Sequence, residues 1–202
     1  MTSKVNTKLA IISVSDKTNV DKIAKKLIKN KYQILSTGGT AKFLASKKIP
    51  NISISTFTGF DEVLEGRVKT LHPKIHAGIL AKTTKDLKGL ANNYNLIDIV
   101  IVNLYPFEKI TANPNCKLID AIENIDIGGP TMLRAAAKNY KRVTVIADPN
   151  DYDNVANEIE KFGMTKEKTR YKLALKVFSK ISISFSISYK AWETGNESSL
   201  WV

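Results

Sequence analysis

The sequence predicts an α/β fold in which helices flank a mainly parallel β-sheet. Apolar runs of strand length alternate along the chain with amphipathic stretches of helical period, which is typical of strand–helix units. Short segments rich in Gly, Ser and Thr follow several of the apolar runs, where an open α/β sheet binds its ligands. We therefore expect residues 1–202 to form one domain with a ligand site at one edge of the sheet.

The first sixty residues predict three strand–helix units in succession. Strands are expected at 9–14, 32–35 and 49–54, and helices over 20–28 and 40–48. The rest of the chain predicts a functional loop at 59–82, a helix at 86–95, a central strand at 97–102, helices at 117–124 and 130–139, a last strand at 142–147, and helices at 151–162 and 166–181. From Ile181 to Tyr189, apolar residues alternate with serines, which has the period of a strand and makes 182–202 an atypical C-terminal tail.

Composition limits the classes of function. The 202 residues are 43% hydrophobic and 25% charged, as in an ordinary folded protein. A net charge of +12 would suit a nucleic-acid partner, but the lysines are dispersed over the predicted helices and no nucleic-acid motif accompanies them. The single Cys116 excludes a disulfide within the chain and fits a reducing compartment. We expect a cytoplasmic protein with no nucleic-acid and no membrane partner.

Two polar segments follow the first and second predicted strands. Ser36–Thr40 reads Ser-Thr-Gly-Gly-Thr, so its glycines permit close backbone approach and the following helix offers free N–H groups to a phosphate. Ser13–Lys17 occupies the equivalent position after the first strand. Taken alone, each segment is also compatible with a plain turn or a helix cap.

A basic segment, Gly66–Pro73, lies in the predicted functional loop. Arg67 suits bidentate recognition of an oxyanion, and Lys69 supplies a point charge or a proton, although a basic surface turn remains the alternative. His72 and His76 have the spacing of metal ligands on a helix, but Pro73 lies between them and no third ligand is nearby. We expect no metal.

Two further segments carry ionisable or polar residues. Asn103 and Tyr105 follow the most apolar strand, and Asp126 precedes two glycines and a helix whose amides suit a developing oxyanion. A packed tyrosine and a helix-capping aspartate are the plainer alternatives. Lys138 lies at the other end of that helix, about 18 Å from Asp126, so local spacing does not bring the two together.

Together with Leu133–Asn139 and Asp148–Tyr152, these five segments resemble the inosine monophosphate cyclohydrolase domain of bifunctional purine biosynthesis proteins. The resemblance covers about residues 8–180. It implies a methylglyoxal synthase-like fold and ring closure of 5-formamidoimidazole-4-carboxamide ribonucleotide to inosine monophosphate with loss of water. It implies no cofactor, a nucleotide substrate and a homodimer. The family continues into a transformylase domain, so we expect only the cyclisation half here, with transformylase activity on another chain or a missing domain.

The resemblance also assigns roles to individual residues. It implies a catalytic group of Lys69, Tyr105, Asp126 and Lys138. It implies substrate binding by Ser15, Asp16, Lys17, Thr37, Gly38, Gly39, Thr40, Arg67, Val68, Thr70, Asn103, Ile127, Gly128 and Gly129.

Two rival functions share the expected fold. Methylglyoxal synthase is a lyase of this fold, but Arg67–Lys69 and Asn124–Asp126 match the cyclohydrolase pattern instead. A non-catalytic nucleotide-sensing module would keep the phosphate loops without needing the ionisable group. The presence of all four ionisable residues favours an enzyme.

Overall fold

The computed structural model describes residues 8–88, 90, 94–104 and 118–194. Its centre is a five-stranded sheet in the order β3-β2-β1-β4-β5, and every strand pair is parallel. The strands are β1 (Lys8–Val14), β2 (Tyr32–Ser36), β3 (Ile52–Ser53), β4 (Ile99–Asn103) and β5 (Thr144–Ile146). The predicted α/β class with a parallel sheet is confirmed.

Helices connect and cover the strands. They are α1 (Val20–Lys29), α2 (Gly38–Ser46), α3 (Ile54–Thr58), α4 (Pro73–Leu80), α5 (Leu118–Glu123), α6 (Gly128–Lys138), α7 (Tyr152–Phe162) and α8 (Glu167–Thr194), with 3-10 turns at Thr84–Leu87 and Pro149–Asp151. Within the described ranges, no helix has the length and apolar character needed to cross a membrane. The expected helices over 20–28, 40–48, 117–124, 130–139 and 151–162 agree with the observed ones to within a few residues.

The central strands β1 and β4 form the core because helices cover both faces of the sheet. Ile11, Ile12, Val100 and Ile101 are almost completely inaccessible to solvent. Such continuous apolar runs are what a strand buried on both faces requires. The strand order reverses between β1 and β4, and the crevice at such a reversal is where open α/β sheets bind ligands.

Three expectations for the middle of the chain were wrong in part. The expected loop at 59–82 contains α4, whose first residue is Pro73 and whose preceding residue, His72, accepts a hydrogen bond from the Lys74 N–H through Nδ1 at 3.0 Å. Proline at the first helical position and a capping side chain before it favour a helix start at this point. The helix therefore forms although the sequence shows no long amphipathic repeat there. The strand expected at 49–54 is confined to β3, because Ile54 already begins α3.

The helix expected at 86–95 is also absent from the described part of that segment. Only the short 3-10 turn at Thr84–Leu87 forms there. The Asp86 carboxylate accepts hydrogen bonds from the backbone N–H groups of Lys82 and Thr83, which closes the turn on itself. Asp side chains that bond to nearby backbone in this way favour turns over helix interiors.

The alternation after Ile181 predicted a strand, and that prediction is wrong. The segment is helical, since α8 continues through it to Thr194. Leu173, Ala174, Val177 and Ile181 form the buried stripe of α8, at the spacing of one helical face. Beyond Ile181, continued backbone hydrogen bonding keeps the segment helical, and Ser188 Oγ donates to the carbonyl of Ser184 one turn earlier at 3.0 Å. Packing of the preceding turns therefore overrides the local alternation.

An ion-pair cluster fastens α8 to the end of β5. Lys176 Nζ lies 3.0 Å from an Asp148 carboxylate oxygen and 2.8 Å from one of Asp151, and Lys180 Nζ lies 3.3 Å from Asp148. Partial burial acts to raise the pKa of Asp148, but the Asn150 N–H and the two ammonium groups together lower it to about 2.

We predict that Asp148→Asn lowers the free energy of unfolding at neutral pH by about 1–2 kcal/mol after allowance for solvent screening. The folded pKa of Asp148 lies below its unfolded value of about 3.9, so its stabilisation is present above that pH and is lost as the pH falls towards about 2. Urea unfolding measured across this acid range checks the prediction. Asp21→Asn, which removes an exposed 3.7 Å pair with Lys25, is the control and should change little. Equal acid dependence of Asp148→Asn and the wild type would contradict the prediction.

Candidate functional site

A cavity with a volume of about 570 Å³ lies at the carboxyl ends of the strands. It opens at the strand reversal between β1 and β4. The predicted site residues that line it are Ser15, Thr37, Arg67, Lys69, Thr70, Asn103, Asp126, Ile127, Gly128 and Gly129. The structure thus brings together residues from all five motifs, although Ser15 and Gly129 are 114 positions apart in the chain.

Asn103 joins the end of β4 to the loop after β1. Its Oδ1 accepts hydrogen bonds from the Ser15 N–H at 2.7 Å, the Ser15 hydroxyl at 2.8 Å and the Asp16 N–H at 3.1 Å. Its Nδ2 donates to the Asp16 carbonyl at 3.0 Å. Both polar atoms of the amide therefore hold the loop in place, in addition to any contact with a ligand.

The loop after β1 also connects to the start of α2. Thr40 Oγ1 accepts from the Val14 N–H and donates to the Val14 carbonyl, both at 3.1 Å, and the hydroxyls of Ser13 and Thr37 lie 2.7 Å apart. Thr40 is buried, and these two hydrogen bonds link α2 to the end of β1. Lys17 bonds through Nζ to the carbonyls of Val14 and Ser15, and desolvation lowers its pKa although Asp16 acts in the opposite direction.

A smaller cavity of about 50 Å³ adjoins the main one and shares Thr37 and Lys69 with it. Gly38, at the N-terminus of α2, lines this cavity together with Ser36 and Ser53, which end β2 and β3, and with Ser55 in α3. This cavity therefore offers hydroxyl groups, a helix N-terminus and one ammonium group, all of which are hydrogen-bond donors suited to a phosphate. Gly39, Val68, Asp16, Lys17 and Thr40 line neither of these two cavities.

Asp126 lies beside the glycine pair that begins α6. Its Oδ1 accepts from the Gly129 N–H at 2.9 Å. Desolvation raises the pKa of Asp126, while the Gly129 N–H, the charge of Lys69 and the Gly128 N–H act to lower it. The carboxyl group thus faces the cavity close to a cation and two amide donors, an arrangement suited to proton transfer beside a developing negative charge.

The glycine pair is required by the close approach of these side chains. A Cβ on Gly128 would lie 2.5 Å from Thr70 Oγ1, and one on Gly129 would lie 2.2 Å from Asp126 Oδ2. Any larger residue would displace the cavity lining. The two glycines thus serve the site by leaving room for Thr70 and Asp126.

Two basic residues at the rim are paired with carboxylates. Arg67 Nη2 lies 2.6 Å from Glu123 Oε2, and Lys69 Nζ lies 3.9 Å from Glu62 Oε2. Sequence reasoning missed both glutamates. Glu123 and Arg67 are 56 positions apart, and no local pattern links them. It also missed Ser53 and Ser55, although Ser53 lies near the end of the strand predicted at 49–54 and Ser55 comes directly after it.

Two predicted catalytic residues are not brought to the cavity by the described structure. Lys138 is exposed at the last position of α6, at the end remote from Asp126. Tyr105 lies outside the described residues. Their roles stay predictions.

The histidines are placed for structure in this chain. His72 caps α4, and His76 is half-buried, with burial lowering its pKa against a hydrogen bond to the Thr70 backbone. Among the described residues, no group of three His, Cys, Asp or Glu side chains has the geometry to hold a metal ion.

Comparison with known proteins agrees with this geometry. Residues 19–131 match the model of the MGS-like domain, and the chain belongs to that family. Residues 136–188 match the model of the AICARFT/IMPCHase bienzyme. The resemblance drawn from the five motifs is thereby confirmed.

Individual relatives narrow the similarity further. The chain is 50% identical over 185 residues to the bifunctional purine biosynthesis protein PurH of Thermoanaerobacter sp. (strain X514), covering 90% of this chain and 36% of the relative. It is 55% identical over 174 residues to PurH of Prochlorococcus marinus (strain MIT 9215), covering 84% and 33%. The chain therefore spans about a third of the length of these curated relatives. The crystal structure of ForH superposes with a TM-score of 0.80 at 34% identity, covering 91% of this chain and 97% of that one.

We predict that Gly129→Ala lowers the free energy of unfolding by about 1–3 kcal/mol, because the added methyl group collides with the Asp126 carboxylate. Gly39→Ala is the matched control, since a Cβ there meets nothing within 4 Å and lies in α2, where alanine is favoured by about 0.4–1 kcal/mol. Chemical denaturation of the two variants beside the wild type measures both changes. Equal stabilities of the two variants would show that the approach of Asp126 does not require glycine.

Proposed function

We propose that this chain is an inosine monophosphate cyclohydrolase, which closes the ring of 5-formamidoimidazole-4-carboxamide ribonucleotide to inosine monophosphate with loss of water. The observation that carries the proposal is the convergence of Lys69 and Asp126 on one cavity, beside hydroxyl groups from the ends of β1 and β2. The similarity to PurH over most of the chain supports the same conclusion.

The phosphate and ribose bind at the hydroxyl-rich end of the cavity. Thr37 and the N-terminus of α2 supply donors there, and Arg67 supplies a positive charge. Lys17 and Asp16 order the loop after β1 that forms one wall. This end therefore takes the anionic part of the substrate and leaves the imidazole ring to face Asp126.

The chemistry consists of an intramolecular attack followed by dehydration. The carboxamide nitrogen attacks the formyl carbon of the same molecule, so holding the two groups in contact supplies much of the acceleration. Lys69 stabilises the oxyanion that develops on the formyl oxygen, while the N–H groups of Gly128 and Gly129 hold the Asp126 carboxylate beside it. Asp126 takes the proton that the attacking nitrogen loses, and the oxyanion is protonated to a hydroxyl group. A second proton on that hydroxyl group lets it leave as water, while the former formamido nitrogen loses its proton and forms the C=N bond of the new ring.

Other parts of the proposal rest on the resemblance alone. Tyr105 and Lys138 take part in proton transfer, and the chain acts as a homodimer in the cytoplasm. The formylated substrate comes from a transformylase on another chain or in a further domain, since the relatives are bifunctional. Gly128 to Lys138 spans about 15 Å of helix, so Lys138 can reach the reacting atoms only through an extended substrate or a second copy of the chain.

We predict that Lys69→Ala lowers the rate of cyclisation by about a hundredfold or more, because it removes a charge that stabilises the oxyanion. The change in ultraviolet absorbance on mixing the protein with the formylated ribonucleotide measures this rate. Lys25→Ala, which alters an exposed lysine of α1, is the matched control and should keep the wild-type rate.

The same assay separates the proposed enzyme from a sensing module. No turnover by the wild type, together with saturable binding of inosine monophosphate, would reject the enzyme and favour a non-catalytic nucleotide-binding domain. Wild-type turnover that survives in Lys69→Ala would keep the activity and remove Lys69 from the mechanism.

For Lys138→Ala we expect a lower rate of cyclisation with nearly unchanged affinity for inosine monophosphate. A proton-transfer group contributes to the reaction step more than to ground-state binding. Rate measurements and calorimetric titration on the same preparation give both quantities. A wild-type rate in this variant would exclude Lys138 from the reaction.

A further inference from the structure

An ion pair bridges the rim of the cavity. Arg67 belongs to the segment between α3 and α4, Glu123 is the last residue of α5, and both line the cavity. Their side chains are 60% and 48% exposed while their charged atoms lie 2.6 Å apart. The pair therefore links two separate chain segments at the solvent-exposed rim of the cavity.

The second rim cation is held in a similar way. Lys69 pairs with Glu62 at 3.9 Å, a longer and weaker contact between half-exposed side chains. Both cations at the rim of the cavity thus already have a carboxylate partner. A phosphate that binds there meets a neutralised site.

We propose that Glu123 is a displaceable counter-ion of Arg67, which an incoming phosphate group replaces. The inference rests on the proposed function, since it assumes a nucleotide as the ligand. Glu123 acts through Arg67 and is a specificity-determining residue rather than a catalytic one.

Replacement of the Glu123 carboxylate on Arg67 is favourable for a phosphate group and unfavourable for a neutral ligand. An exposed ion pair contributes little to the free energy, whereas a phosphate offers the guanidinium two charge-assisted hydrogen bonds and up to two negative charges. A nucleoside that lacks the phosphate cannot replace the carboxylate on Arg67. The pair thus lowers affinity for all anions slightly and reserves Arg67 for ligands with strong negative charge.

The test is calorimetric titration of wild type and Glu123→Gln with inosine monophosphate and with inosine. We expect Glu123→Gln to bind inosine monophosphate about two- to fivefold more tightly, the range that loss of an exposed competing pair allows. Affinity for inosine should stay the same. The gain should shrink as the salt concentration rises from about 0.05 M to 0.5 M, because salt screens exposed charges.

Two further variants make the result specific. Glu160→Gln removes a carboxylate that pairs with Lys26 and Lys29, so it controls for the change in net charge. In an Arg67→Ala background, Glu123→Gln should have no effect, because the double-mutant cycle then lacks the interaction.

The outcomes separate the inference from the proposed function. Unchanged nucleotide binding by Glu123→Gln would overturn the inference. Weaker binding would overturn it as well, because it would show that Glu123 positions Arg67 for the ligand. An equal gain in Glu160→Gln would overturn it as a general charge effect. A wild type that does not bind inosine monophosphate at all would contradict the proposed function and the inference together.

Discussion

The pairing of β1 with β4 and the side chain of Asn103 at its end determine the geometry of the site. Val14 and Asn103 are register partners in the parallel ladder, so the loop after β1 leaves the sheet beside the Asn103 amide. That amide satisfies two N–H groups, one hydroxyl group and one carbonyl of Ser15 and Asp16. These four hydrogen bonds favour one position of the loop, and Ser15 then lines one wall of the cavity.

The remaining parts of the cavity depend on that wall. Thr40 ties α2 to Val14, which aims the N-terminus of α2 at the same crevice. On the opposite side, the glycine pair of α6 lets Thr70 and Asp126 approach the helix start more closely than any side chain would allow. Desolvation then raises the pKa of Asp126, while Lys69 and the helix amides favour its charged form. The fold thus places a carboxyl group between two opposing influences, which is how a proton-transfer group is adjusted towards neutral pH.

Sequence reasoning predicted the sheet and several of the residues that line the candidate cavity, because both follow from local rules. Continuous apolar runs identified β1 and β4, and the rule that ligands bind at the carboxyl ends of parallel strands selected Ser15, Thr37 and Asn103. The alternation after Ile181 misled because it has the period of a strand, whereas the packing of earlier turns of α8 keeps the segment helical.

The carboxylates at the rim could not have been predicted, since Arg67 and Glu123 meet only after folding. The position of Lys138 followed the length of its helix as expected, which leaves its catalytic role dependent on the resemblance.

A crystal structure of the chain with inosine monophosphate would test the central claim most directly. We expect the phosphate between Thr37, the N-terminus of α2 and Arg67, with the purine ring against Lys69, Asp126 and the start of α6. It would be contradicted by a nucleotide bound elsewhere, for example in the cavity of about 470 Å³ lined by Tyr32 and Arg142. A nucleotide bound in the reverse orientation, with its phosphate at Asp126, would contradict it equally.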